Sequence, residues 1–212
     1  MADLRYTLIT DGSSDASLIP ILTWLLRTNG LDVAIQSTWA DWRRLPKPPK
    51  TLREKIKFAV EFFPCDLLFI HRDAENQPRE QRVHEIETAI GNEFVDGQAM
   101  PYICVVPIRM TEAWLLFDEL AIRHAAGNRR GQQRFDLPTL ARMEELPNPK
   151  QLLYECLQSA SGQSGRRLKQ FRVAVHARRV ADFIEDFSPL RALSSFTLLE
   201  RDIRNFIHTL TS

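Results

Sequence analysis

Four acids carry the most chemistry in this chain: Asp11, Asp73, Glu75 and Glu112. Each comes just after a short apolar, β-rich run. Asp11 directly follows residues 5–10, Asp73 and Glu75 follow residues 66–71, and Glu112 lies a few positions beyond residues 102–108. Carboxylates brought together raise one another's pKa unless a cation neutralises them. Hard divalent ions such as Mg²⁺ or Mn²⁺ take oxygen ligands of this kind, completed by water and substrate phosphate. The chemistry served is phosphoryl transfer or phosphodiester hydrolysis. On an extended segment the Asp-x-Glu spacing would aim Asp73 and Glu75 the same way.

Neighbouring residues suit the same substrate. His71 and Arg72 flank the acidic pair, and Arg109 precedes Glu112; each can reach a phosphate oxygen, and His71 or Arg109 can assist the reaction. Gly12 permits a sharp turn, and the amides of Gly12 and Ser13 at a helix start can hold a phosphate. A plainer reading exists for several of these residues. Ser13, Ser14 or Asp15 serves as a helix N-cap, Asp73 caps the turn before the next helix, and Glu112 is a first-turn acid favoured by the helix dipole. His71, at the end of an apolar run, also reads as a packed side chain.

The elements that position these residues alternate. The spacing predicts strands over residues 5–10, 32–38, 66–71 and 102–108, with helices near 18–28, 51–63 and 78–94 and a short helix at 110–116. The run at 66–71 is uninterruptedly apolar, as in a strand buried on both faces of a parallel sheet. Strand–helix alternation implies an α/β fold with a largely parallel sheet of about four strands flanked by helices. In such sheets ligands bind beyond the carboxyl ends of the strands, where the four acids fall. After Asp118 the pattern turns helical, with helices expected over 150–159, 168–187 and 196–210. The expected division is an α/β core over residues 1–118 and an all-helical extension over 119–212, packed on that core.

With 212 residues, 44% hydrophobic and 26% charged, the chain has the composition of a globular protein with a full core. The first residues lack the shape of a signal peptide, and no stretch approaches the roughly 18 apolar residues a membrane helix needs, so a cytoplasmic location is expected. Cys65, Cys104 and Cys156 are odd in number and lie in apolar surroundings, which argues for core packing over disulfides or zinc.

The net charge of +1 is unevenly spread. Residues 123–134 hold Arg123, His124, Arg129, Arg130 and Arg134 without an acid. Residues 166–179 hold Arg166, Arg167, Lys169, Arg172, His176, Arg178 and Arg179, again without one. Such runs suit a polyanionic partner, DNA or RNA, and equally a solvated helix face. Trp39 and Trp42 sit beside Arg43 and Arg44, a pattern that can stack unpaired bases, close a lid or contact a protein. Trp24 and Trp114 read as core.

Three segments together resemble a known family. Ile9-Thr-Asp-Gly-Ser-Ser-Asp15, Phe69-Ile-His-Arg-Asp-Ala-Glu75 and Thr111-Glu-Ala-Trp-Leu-Leu116 look like the signature segments of TOPRIM-type, Rossmannoid domains. They are most similar to a branch of unknown function often found beside AAA or ABC-type ATPases and related to the nuclease half of the OLD family. Leu146-Pro-Asn-Pro-Lys-Gln-Leu-Leu153 and Leu193-Ser-Ser-Phe196 extend the likeness over most of the chain. The resemblance implies an Mg²⁺- or Mn²⁺-dependent nuclease working with an ATPase partner, with a role in phage defence as a further implication. Asp11 takes the place of the first acid, Asp73 and Glu75 that of the paired acids, and Glu112 that of an added one. Asp11 stands where the family has glutamate, and the pair is Asp-x-Glu where the family has Asp-x-Asp. A non-catalytic subunit keeping the fold, and a small-molecule phosphotransfer enzyme, are the rival expectations.

Overall fold

The computed structural model describes residues 3–12, 14–42, 45–75, 77–91, 94–95 and 98–211. Ser13, Arg43 and Arg44 lie outside the described residues. The protein is α/β, with a four-stranded, all-parallel sheet flanked by helices and a helix at its C-terminal end. Chain contacts divide it into two units, residues 1–106 with 198–212, and residues 107–197.

The first unit holds the strands, in chain order β1 (Asp3–Ile9), β2 (Ala34–Trp39), β3 (Leu67–His71), β4 (Phe94–Val95), β5 (Gln98–Ala99) and β6 (Tyr102–Val105). The parallel sheet runs β2-β1-β3-β6, while β4 and β5 form a small antiparallel pair that the sequence did not suggest. Every residue of β3 is buried, as its apolar run requires, while the edge strand β2 is largely exposed. From β1 the chain adds β2 on one side and then returns to place β3 on the other. Strand order therefore reverses between β1 and β3, and the crevice that ligands use in such sheets opens at their carboxyl ends.

Helices α1 (Leu18–Thr28), α2 (Leu52–Phe62) and α3 (Arg79–Ile90) supply the connections. α2 starts at a reciprocal capping box, in which Thr51 accepts from the Glu54 amide and Glu54 accepts from the Thr51 amide. Its buried face repeats at Ile56 and Ala59, and Lys55 is buried with them. α3 ends at Ile90, short of the expected residue 94, because Gly91 turns the chain at φ +52°.

The second unit holds α4 (Glu119–Ala125), α5 (Pro149–Ser161), α6 (Gly165–Gln170) and α7 (Val173–Arg178) with 3-10 turns between them. The single helix expected over 168–187 is broken. Phe171 and Arg172 leave the helical region (ψ 110° and 71°), and the Phe171 and His176 rings stack across the break, centroids 4.2 Å apart. The last helix, α8 (Ser194–Thr211), has residues 198–211 in the first unit. There Glu200 accepts from Asn29 and Asp202 from Arg79. Among the described residues no helix is long and apolar enough to cross a membrane.

Candidate metal site at the carboxyl ends of the strands

The residues that follow β1 and β3 converge. Thr10 ends the first strand's run, and its hydroxyl donates to the Gly12 carbonyl at 2.7 Å, folding the chain back. The Gly12 amide then donates to Asp15 Oδ2 at 3.0 Å, so this amide serves the turn. A Cβ at Gly12 would lie 3.2 Å from that oxygen, so a larger residue there would make the Asp15 carboxylate shift by a few tenths of an ångström. Asp15, which the sequence suggested as an N-cap, belongs to a 3-10 turn (Ser14–Ser17) that precedes α1. Its carboxylate is buried and faces His71, with Nδ1 3.7 Å from Oδ2.

His71 closes β3 and is itself buried at 1% exposure. Its Nε2 lies 3.1 Å from Asp73 Oδ1, so the imidazole stands between two carboxylates. Asp15, His71 and Asp73 each place a ligand atom within 4.8 Å of the other two. A buried imidazole and two carboxylates are donor types that one divalent cation would take, and here the two acids face opposite nitrogens of the ring.

Asp11 and Glu75 behave differently. Asp11 is half exposed and already paired, with Lys55 Nζ 2.9 Å from Oδ1 and Arg72 Nε 2.9 Å from Oδ2. Lys55 also donates to the Thr10 carbonyl at 3.3 Å. Glu75 adopts φ +55°, in a turn closed by the Gln77 amide on the Ala74 carbonyl. The segment is thus not extended there, and Asp73 and Glu75 do not share a target as the spacing suggested. Asp73 serves His71, while Glu75 is 60% exposed and pairs with Arg82 at 3.7 Å. Arg82 also donates to the Asp73 carbonyl and to Glu85, and Glu85 in turn approaches Arg72 at 3.4 Å. Five carboxylates (Asp11, Asp15, Asp73, Glu75, Glu85) meet three permanent cations (Lys55, Arg72, Arg82), and one divalent ion would balance the remainder.

Glu112 and Arg109 belong to the second unit. Glu112 is buried in the 3-10 turn Thr111–Leu115, with Lys150 Nζ 3.6 Å from its Oε1. Arg109 holds φ +68°, a conformation uncommon for any residue but glycine. Trp114 is core, fully buried with its ring edge-to-face on Phe196, centroids 5.4 Å apart. Trp42 is not a stacking surface either. It is 8% exposed in the cluster around Ile9, Ile56 and Ala59, with Lys55 Nζ 5.9 Å from its centroid. Trp39 donates from Nε1 to Thr10 Oγ1 at 3.0 Å. Cys65 is half-buried; Cys104 and Cys156 are buried, and burial pushes their thiols up to about 12 and about 11.

Of the basic candidates, Arg129, Arg130, Arg166, Arg167, Lys169 and Arg179 are exposed and Arg178 is half-buried. Arg179 lies over the Phe183 ring at 5.2 Å. Sequence reading missed Lys55, Arg82 and Glu85, and read Asp15 as a cap. The signals were present: a lysine on the apolar face of α2, an i,i+3 Arg–Glu pair opening the helix after β3, and an acid four residues beyond Asp11.

Desolvation pulls the His71 pKa down, but the hydrogen bond to Asp73 and the charges of Asp73, Asp15 and Asp11 outweigh it. The imidazole therefore holds its proton above its ordinary range. Asp15 is pushed up by burial and by Asp73, against the pull of His71, Gly12 and Ser14. A pKa raised by folding contributes stability that is complete below the unfolded value, about 6.5 for histidine, and is lost as pH rises through the folded value. The metal-free protein is accordingly expected to weaken as pH climbs above about 6.5. Urea titrations in chelator at successive pH values check this, and Asp73→Asn should flatten the decline. A flat wild-type profile would contradict the charged pair.

The fold and the site define a parallel α/β protein with a carboxylate–histidine cluster at the strand-order switch between β1 and β3. Comparison with protein-family models, curated proteins and solved structures found no match.

Proposed function

We propose that the chain is a divalent-metal-dependent phosphodiesterase of TOPRIM-like type acting on nucleic acid in the cytoplasm, alongside an ATPase partner. The observation that carries this reading is the convergence of Asp15, His71 and Asp73 within 4.8 Å at the switch point. The three signature segments of the sequence support it, since the first two supply those residues. Asp15, His71 and Asp73 would hold the cation, which when bound supplies Lewis-acid polarisation of a phosphoryl oxygen. Lys55, Arg72 and Arg82 pair with the surrounding carboxylates and orient them, and Arg72, now paired with Asp11 and Glu85, would turn to a phosphate oxygen.

The histidine nitrogen favours Mn²⁺ over Mg²⁺, because Mg²⁺ prefers oxygen ligands and Mn²⁺ also accepts imidazole. Calorimetric titration of each ion into the protein should therefore give tighter binding for Mn²⁺, and Mn²⁺ should support cleavage of labelled oligonucleotides. Absence of binding by either ion, with nucleic acid present, would overturn the reading. A second reading, a non-catalytic binding subunit, is favoured by one observation: Asp11 and Glu75 are already paired with Lys55, Arg72 and Arg82. It expects a stable complex with its partner that Asp73→Ala leaves intact.

A further inference from the structure

The second unit carries 14 lysines and arginines against 10 acids, a formal +4, while the rest of the chain is at −3. Its two acid-free basic runs are far apart in sequence, and the fold joins them. His176 is one anchor: its Nδ1 lies 2.7 Å from the Ala125 carbonyl at the end of α4, which ties α7 to the start of the first run. Asn128 is the other. Its Nδ2 donates to the Ala160 carbonyl at 2.9 Å and pins the middle of that run to the end of α5, just before Arg166.

Some of these cations are committed within the fold. Arg123 is buried against Glu119 and the Phe135 ring, and Arg179 lies over Phe183. Arg129, Arg130, Arg134, Arg166, Arg167 and Arg172 are exposed, and among the described residues none of them makes an ion pair. Two of them, Arg167 and Arg172, border a pocket of about 380 Å³ between α6 and α7, whose wall also includes Phe171 and His176. That is the low end of the range for ligand sites, a size for one flat ring system.

We infer that this surface of the second unit binds single-stranded nucleic acid, with the arginines on the backbone and the Phe171–His176 pocket taking an unpaired base. Arg166, Arg167, Lys169 and Arg172 are exposed around a pocket with no acid in its wall and fit a chain of phosphates, and the aromatic pair in that pocket fits a base that is free of a duplex. Arg129 and Arg130 instead line a cleft with Asp118, Glu119, Asp182, Glu185 and Asp186. The inference rests on the phosphodiesterase reading for its choice of polyanion, and its test needs no catalysis.

The test is fluorescence anisotropy of a labelled oligothymidylate of roughly 20 nucleotides, long enough to span several phosphate contacts, in chelator at about 50 mM salt. Wild type should bind, with affinity falling linearly on a log–log salt plot. The triple variant Arg166→Gln, Arg167→Gln, Arg172→Gln should lose at least about tenfold in affinity. Its salt slope should be shallower by about 2, at about 0.7 per phosphate contact on a single strand. Phe171→Ala should cost about tenfold on the single strand and little on a blunt duplex, while Phe171→Tyr restores binding. No binding by wild type, a triple variant indistinguishable from it, or duplex bound as tightly as single strand would each overturn the inference. A chain that binds the strand in chelator yet never cleaves it with Mn²⁺ fails only the catalytic reading.

Discussion

Asp73→Ala is expected to lower Mn²⁺ affinity at least about 100-fold, because groups that merely orient a metal ligand are already worth 10–100-fold. Asp73 would supply one of three protein donors, and it is also the hydrogen-bond partner of His71 Nε2 at 3.1 Å. Its removal therefore takes a ligand away and frees the ring that carries another. In chelator the same change should cost about 1–3 kcal/mol of stability, the range for stranding a buried polar partner. Asp73→Asn separates the two effects. The amide oxygen can still accept from His71, so most of the stability should remain, whereas the charge that attracts the cation is gone. Calorimetry with Mn²⁺ and urea unfolding in chelator read the two quantities independently. An Asp73→Asn protein that binds Mn²⁺ like wild type would remove the site from consideration. Binding should also release a proton, since the imidazole must give one up to become a ligand. The measured enthalpy should consequently change with the ionisation enthalpy of the buffer.

The second large effect concerns stability. Trp114→Ala should cost about 3–5 kcal/mol, the usual range for emptying a buried aromatic site. For a chain of this length that corresponds to a fall in Tm of roughly 6–20 °C. Trp114 is fully buried and packs edge-to-face on Phe196, so the void has nothing to fill it without moving its neighbours. Trp114→Phe should be far milder. The indole Nε1 is buried and has no hydrogen-bond partner among the described residues, so replacing it strands no partner group. Thermal unfolding of both variants tests this. If Trp114→Ala left Tm unchanged while weakening nucleic-acid binding, the residue would belong to a binding surface and not to the core.

The alternation of apolar runs and helical spacing was enough to determine the α/β class and the parallel sheet. A run such as residues 67–71, buried at every position, has few stable places other than the middle of a parallel sheet. The same pattern put Asp11 and Asp73 at strand ends, which is a one-dimensional property. Partners were a different matter. Which carboxylate meets which cation depends on side chains brought together by strand order, and no local spacing encodes that. The pairing of Asp11 with Lys55 crosses 44 positions, and it exists because α2 lays one lysine toward the end of β1.

Local backbone geometry decided the rest. The Asp-x-Glu motif suggested two ligands on one side, yet the left-handed turn at Glu75 sends that carboxylate to Arg82 and leaves Asp73 to His71. The Gly12 turn likewise draws Asp15 inward, converting an apparent helix cap into a buried neighbour of the histidine. Composition revealed two basic runs, but only the contacts made by His176 and Asn128 bring the segments that carry them together. Residue types and periodicity thus determined the scaffold and the kind of chemistry, because burial of apolar area is decided by pattern. The tertiary structure decided which charged groups are paired and which remain to act, because that depends on distances of a few ångströms between segments far apart in the chain.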